Sequence, residues 1–346
     1  MAAGEVIRKA RSISEALELF KQFNPPSSWA YLVVDTNANR AVALEVTNKD
    51  CIVREMDGSH AIQTNHFLTE LLKDKALDLN VSLLNDTHGR YERVQELLRQ
   101  ARGKVDREVA MSILADQIDP LVGVERGLGA TIGVHTTVTS VVLDKASQRV
   151  YVANGMAPVP HNEYVAFPLI GTFERENFGS LSLEVLNNDK MRQRSPLRHA
   201  AMQVFIEAKA AYEFNNDLPQ AFELLKRVVQ LDGDNPAYYF ELAVFAMKNG
   251  EFQYATKALS DLFECSYLTP QLERLGHYYR GRAYAHLGLR DQALADLNEV
   301  IADPSVDPSM KHAAEIAHRR TARSGRYKLS NGPLRIMMQL ADMLSY

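Results

Sequence analysis

Three consecutive residues, Thr64-Asn65-His66, set a hydroxyl, a carboxamide and an imidazole side by side at the end of a run of strand-like segments. A small polar cluster closing a β-rich stretch is the kind of group that lines a reaction centre, so His60–Phe67 reads as half of an active site. The nucleophile is the missing half. The two cysteines, Cys51 and Cys265, lie far apart and form neither a disulfide framework nor a zinc pattern. Cys51 follows Asp50 in mid-strand and reads as a core or edge residue. His66 is expected to serve as a pocket wall, with Thr64 and Thr137 as further pocket candidates. His60, His66, His88 and His135 show no helical i,i+4 pairing and no acidic partner, so no metal and no cofactor are expected. Gly123–Gly133 lacks the Gly-Lys-Ser/Thr ending of a phosphate loop and reads as a flexible surface loop.

Composition narrows the classes. At 346 residues the chain has room for two domains, and 46% hydrophobic with 24% charged residues is globular rather than disordered. The net charge of −4, with no basic stripe or arm, argues against nucleic acid as a partner. No apolar run approaches the ~20 residues of a membrane span, and Met1–Arg11 has no apolar core of a secretory signal. No compartment is marked, which leaves the cytoplasm as the default expectation.

The elements that must position the cluster come before and after it. Glu5–Phe23 reads as one helix, with Ser12 and Glu15 spaced as a capping box. Trp29–Asp35, Ala41–Val46, Cys51–Glu55 and Ala61–Thr64 read as four short strands with tight turns, hence an antiparallel sheet. The run Leu32-Val33-Val34 suggests a strand buried on both faces. Asn80–Arg90 reads as a loop, Tyr91–Ala101 and Asp106–Asp116 as helices, and Thr137–Asp144 with Arg149–Asn154 as a hairpin.

This ordered set resembles the later part of the acyl-coenzyme A:6-aminopenicillanic acid acyltransferase family of N-terminal-nucleophile hydrolases, over about residues 5–168. Thr64-Asn65-His66 after Gly58, the Tyr91-Glu92-Arg93 helix, Thr137-Val138-Thr139-Ser140-Val141-Val142 and Val150-Tyr151-Val152-Ala153-Asn154-Gly155 carry the likeness. The resemblance implies an α+β fold, a partial αββα sandwich. It implies a cysteine thiol that attacks an amide or thioester carbonyl and passes the acyl group to water or an amine. By position, Asn65 matches the family asparagine whose amide helps form the oxyanion hole. A neutral amide fixed at a strand end needs no proton transfer and can be worth ~3–4 kcal/mol of barrier. The family nucleophile precedes the region matched, and Val134 or His135 falls near the place of a family pocket arginine. The expectation is therefore a C-terminal portion of the domain, with the nucleophile on a preceding segment or another chain.

Beyond about residue 196 the period is helical throughout. Asn216, Gly250 and Gly288 align at helix–helix turns, each followed five residues later by Ala221, Ala255 or Ala293, then by Leu225, Leu259 or Leu297. The spacings of 34 and 38 residues resemble the tetratricopeptide repeat, with a four-residue insertion around Cys265–Pro270. The expected organisation is an acyltransferase-like part over 1–170, a linker over 171–196, an α-helical solenoid over 197–325 and a terminal helix over 326–346. The repeats offer either a surface for a peptide or protein, or a cover for the first domain. Two functions follow: an acyl-transferring amidohydrolase acting on a small acyl or amide substrate, or a non-catalytic repeat protein keeping a relic hydrolase domain.

Overall fold

The computed structural model describes residues 2–22, 28–56, 60–73, 87–129, 131–169, 184–188 and 195–324. The expected first helix is two, α1 (Ala2–Lys9) and α2 (Ile13–Gln22). The Ser12 hydroxyl accepts the Glu15 amide at 3.2 Å, and the Glu15 carboxylate accepts the Arg11 amide at 2.9 Å. A capping box starts a helix, so the pair marks a new N-terminus rather than an interior.

Three antiparallel strands follow in the order β1 (Trp29–Asp35), β2 (Arg40–Val46), β3 (Cys51–Glu55). Asp35 accepts the amides of Asn37 and Ala38 and so folds the first turn. Residues paired across an antiparallel ladder share a face. Tyr31, Val33, Leu44, Val46 and Cys51 share the face packed on Val6, Ala16 and Phe20 of the two helices. The other face carries Leu32 and Val34, 41% and 58% exposed. Burial on both faces therefore falls on β2, whose Val42–Val46 are all buried, and not on the apolar run in β1.

Helices α3 (Thr87–Gln100) and α4 (Arg107–Leu114, capped by Asp106) precede a short ribbon, β4 (Ile118–Asp119) with β5 (Val124–Glu125). A second antiparallel sheet runs β6 (Val141–Asp144), β7 (Arg149–Asn154), β8 (Glu163–Pro168), β9 (Val185–Leu186). Strand β9 lies within the expected linker. Val142, Tyr151, Tyr164 and Ala166 pack against Met111 of α4, while Val141 and Leu143 on the opposite face are 46% and 52% exposed. The Lys145 ammonium donates to the Thr36 carbonyl and joins the turns of the two sheets. Each sheet thus has a helical layer on one face and exposed apolar side chains on the other.

The C-terminal part is a stack of helical hairpins: α5 (Pro196–Glu213) with α6 (Leu218–Leu231), α7 (Pro236–Lys248) with α8 (Phe252–Phe263), and α9 (Pro270–Leu287) with α10 (Arg290–Ala302). Helix α11 (Pro308–Ser324) follows. Asp217, Asn235 and Thr269 cap α6, α7 and α9, each followed by proline in the first turn, where a missing N–H costs nothing. The three aligned turn residues, Asn216, Gly250 and Gly288, all have positive φ, at 53°, 83° and 78°. The aligned alanines and leucines are all fully buried. Tyr238 and Tyr279 are core residues. The expected terminal helix over 326–346 lies outside the described residues. Among the described residues no helix is long and apolar enough to cross a membrane.

The glycine-rich stretch is not a surface loop. Arg126, Gly127, Leu128, Gly129, Thr131 and Gly133 are buried, Gly127 against Arg198 of α5 and Tyr238 of α7, and Leu128 within the core of the helical stack. Asn235 donates to the Leu128 carbonyl at 3.0 Å, Gln203 to the Ala157 carbonyl at 3.1 Å, and the His135 ring meets Phe205 edge-on at 5.2 Å. Its small residues let backbone and helix approach closely: a Cβ on Gly127 would sit 2.7 Å from the Tyr238 hydroxyl.

Candidate functional site

Residues 60–73 form no strand, contrary to the expectation for Ala61–Thr64. Side chains of the first sheet replace the missing ladder. Arg54 of β3 donates to Gln63 Oε1 at 3.0 Å, and Gln63 in turn donates to the carbonyls of Thr64 (3.1 Å) and His66 (2.9 Å). Glu45 of β2, fully buried, accepts the amides of Leu68 (2.6 Å) and Thr69 (3.1 Å) and the Thr69 hydroxyl (2.5 Å). A buried carboxylate is tolerated where it is satisfied in this way. Glu45→Ala is expected to cost roughly 2 kcal/mol by leaving those donors unmet. It should also make residues 60–73 the first site of limited proteolysis, read by mass spectrometry of the fragments.

The first turn of α3 closes the cluster. The Thr64 hydroxyl donates to the Thr87 carbonyl at 3.0 Å, and Thr87 Oγ1 accepts the Asn65 amide at 2.8 Å. His66 Nδ1 lies 3.0 Å from both hydroxyl oxygens. A proton on Nδ1 shared between those oxygens satisfies every one of these contacts and puts the ring lone pair on Nε2. The His66 ring is buried, stacks on His88 at 3.8 Å and meets Tyr91 edge-on at 5.7 Å.

Asn65 itself is exposed. Its side-chain oxygen accepts from Arg90 Nη2 at 2.8 Å. A guanidinium only donates, so the atom facing it is the oxygen, and the amide orientation is fixed chemically. The Nδ2 donors point away from Arg90 and meet no partner among the described residues.

Thr64, Asn65 and His66 therefore share one network, while Thr137 stands apart from it. The Thr137 amide donates to the Val134 carbonyl (2.9 Å), and its carbonyl accepts the Val159 amide (3.0 Å). His135 is buried against α5 with its pKa pulled down to about 3 by burial, so it is a neutral core residue rather than a pocket cation. Among the described residues no His/Cys/Asp/Glu cluster could hold a metal. Burial raises the pKa of Cys51, which sits in the helix-packed core, and pushes that of Cys265 up to about 12. Neither is a thiolate near neutral pH. A cavity of about 580 Å³ between α1, α2 and β1 is lined by residues such as Val6, Phe20 and Val33, not by Asn65.

Arg90, Thr87, Glu45, Arg54 and Gln63 do the positioning, and sequence reasoning missed all five. Helix α3 opens four residues earlier than its apolar pattern suggests, which brings Thr87 and Arg90 onto it. A threonine followed by a helix is a capping pattern, and it was the available clue.

Compared with known families, residues 3–156 match acyl-coenzyme A:6-aminopenicillanic acid acyl-transferase. That span holds the whole Asn65 network. No curated protein matches the chain. Among solved structures, the Arabidopsis OM64 TPR domain is similar at 20% identity, over 36% of this chain and 95% of that one, with a TM-score of 0.30. At that score the likeness adds nothing to the repeat geometry described above.

Proposed function

We propose that this chain supplies the oxyanion-stabilising part of an acyl-transfer site that acts on an amide or thioester through an acyl-enzyme. The thiolate comes from a cysteine outside these 346 residues. The observation that carries the reading is Asn65: its oxygen is held by Arg90, which leaves an oriented N–H pair aimed outward. Attack on a carbonyl moves charge onto the carbonyl oxygen, and a preset neutral donor stabilises that charge without reorganising. Thr64, His66 and Thr87 hold the backbone at residue 65, so the donor direction is fixed before substrate arrives. Thr137 is a pocket residue at most and has no part in this positioning. The two sheets, each helix-covered on one face and apolar on the other, support two outer helical layers around an inner pair of sheets. The match over residues 3–156 supports the acyl-transfer class. The helical hairpins are read as a tetratricopeptide-like stack whose first unit covers Gln117, Gly127 and His135 and whose remaining surface is open to a protein partner.

The test uses the protein purified from its natural source, with whatever polypeptide accompanies it, and a thioester as acyl donor. Activity should depend on a terminal cysteine found by N-terminal sequencing and should survive replacement of Cys51 and Cys265 by serine. Asn65→Ala should lower kcat by ~10²–10³ with little change in KM. A threefold effect or less removes Asn65 from the chemistry. Loss of activity in Cys51→Ser assigns the nucleophile to this chain and overturns the reading. Absence of any acyl transfer, together with a stable protein complex, establishes the non-catalytic alternative.

A further inference from the structure

A second polar site lies far along the chain from Asn65, where β5 meets the first two hairpins. Glu125, Arg126, Arg198, Asp232, Asp234 and Tyr267 line a cleft of about 270 Å³, roughly nine waters' worth of liquid volume. Arg126 is only 5% exposed. Of its five N–H donors, one makes a hydrogen bond among the described residues, from Nη2 to the Tyr267 carbonyl at 3.0 Å. Its nearest carboxylate, on Asp119, is 4.0 Å from Nε, which has no hydrogen-bond partner. A guanidinium taken out of water with so little in exchange is costly unless an anion joins it.

The opposite wall has the complementary deficit. Asp232 is 9% exposed, and its Oδ2 accepts no hydrogen bond, the Arg198 Nε being 3.8 Å away. Glu125 Oε1 is likewise buried and unpartnered, its other oxygen lying 3.3 Å from Arg198. Three carboxylates face two guanidinium groups in the lining, so a bare dianion would meet repulsion. A ligand whose anion carries its own cation would not.

We infer that this cleft binds a small zwitterion of the α-amino acid type, its carboxylate on Arg126 and its ammonium on Asp232 and Glu125. The inference is independent of the acyl-transfer reading. Occupancy would tie β5 to α5 and to the turn before α7, so binding joins the two parts of the chain.

Thermal unfolding and calorimetric titration of the full chain test this, with L-alanine, acetate and ethylammonium each at about 10 mM as probes. L-Alanine should raise Tm by about 2 °C or more, and the two half-ligands should not. Asp232→Asn, checked for folding by circular dichroism, should weaken L-alanine binding at least tenfold. Should that variant fail to fold, Glu125→Gln replaces it with the same expectation. No shift with L-alanine overturns the proposal, as does an equal shift with acetate. Unchanged affinity in a folded variant places binding elsewhere and overturns it too.

Discussion

Replacing Glu241 by glutamine is expected to stabilise the folded chain at alkaline pH by roughly 4 kcal/mol and to change little in acid. Glu241 lies in α7, fully buried, and neither carboxylate oxygen has a hydrogen-bond partner among the described residues. Burial pushes its pKa from 4.5 up to about 8. Lys209 of α5 opposes that shift, but its ammonium is held by Glu213 at 2.7 Å, and Glu213 itself repels the charge. Tyr279 of α9 faces the same carboxyl, its own pKa pushed up to about 12 by burial. Between pH 4.5 and about 8 the folded state holds a proton that the unfolded chain has lost. Stability therefore falls as pH rises through that window.

His135 acts with the opposite sign. Its pKa falls from 6.5 to about 3, so between those values the unfolded chain binds the extra proton and stability rises with pH. The joint contribution of the two groups should climb from about pH 3 to 4.5, stay level to 6.5 and then decline to about 8. Glu241→Gln should abolish the decline and let the climb continue to pH 6.5. Urea unfolding at half-unit pH steps, followed by far-ultraviolet circular dichroism, measures both limbs. Parallel profiles for the two proteins above pH 6.5 would show that Glu241 reaches water or a partner.

These two groups show what was legible in the sequence and what was not. Asn216, Gly250 and Gly288 could be aligned from spacing alone, because a left-handed turn restricts residue type locally. The buried alanine and leucine positions followed from the same period. Glu241 and His135 carry no such mark: their burial depends on residues brought from far along the chain. The Asn65 site divides the same way. Its three consecutive residues were visible, but Arg90 reaches Asn65 across 25 residues and Glu45 reaches Leu68 across 23. The capping box at Ser12 and Glu15 was legible, but the helix start it marks was missed, and for a different reason. The apolar period runs on through the break, and hydrogen-bonding residues, not hydrophobicity, set the boundary. Residues 123–133 looked like a loop because glycine marks both mobile turns and close backbone approach, and only packing separates the two.

Gly281→Leu is expected to destabilise the repeat stack by roughly 3 kcal/mol, as overpacking at a helix crossing does. Gly281 sits on α9 where α10 crosses it. A Cβ there would lie 3.0 Å from Leu297 Cγ, 3.1 Å from the Ala293 carbonyl oxygen and 3.2 Å from Asp296 Cβ. The carbonyl belongs to the helix backbone and cannot rotate aside. Asp296 cannot move cheaply either, since Arg280 holds both its oxygens at 2.8 Å and His277 bonds one of them at 2.9 Å. The leucine would have to push the hairpin apart and open the contact that buries Leu297. Gly250→Ala separates this effect from simple loss of a glycine. At Gly250 a Cβ meets open space, and the cost comes from φ of +83° alone, about 1 kcal/mol. Urea midpoints with unchanged slopes should rank the two variants in that order. An equal cost for both would mean that the turn conformation, not helix spacing, is what the glycines protect.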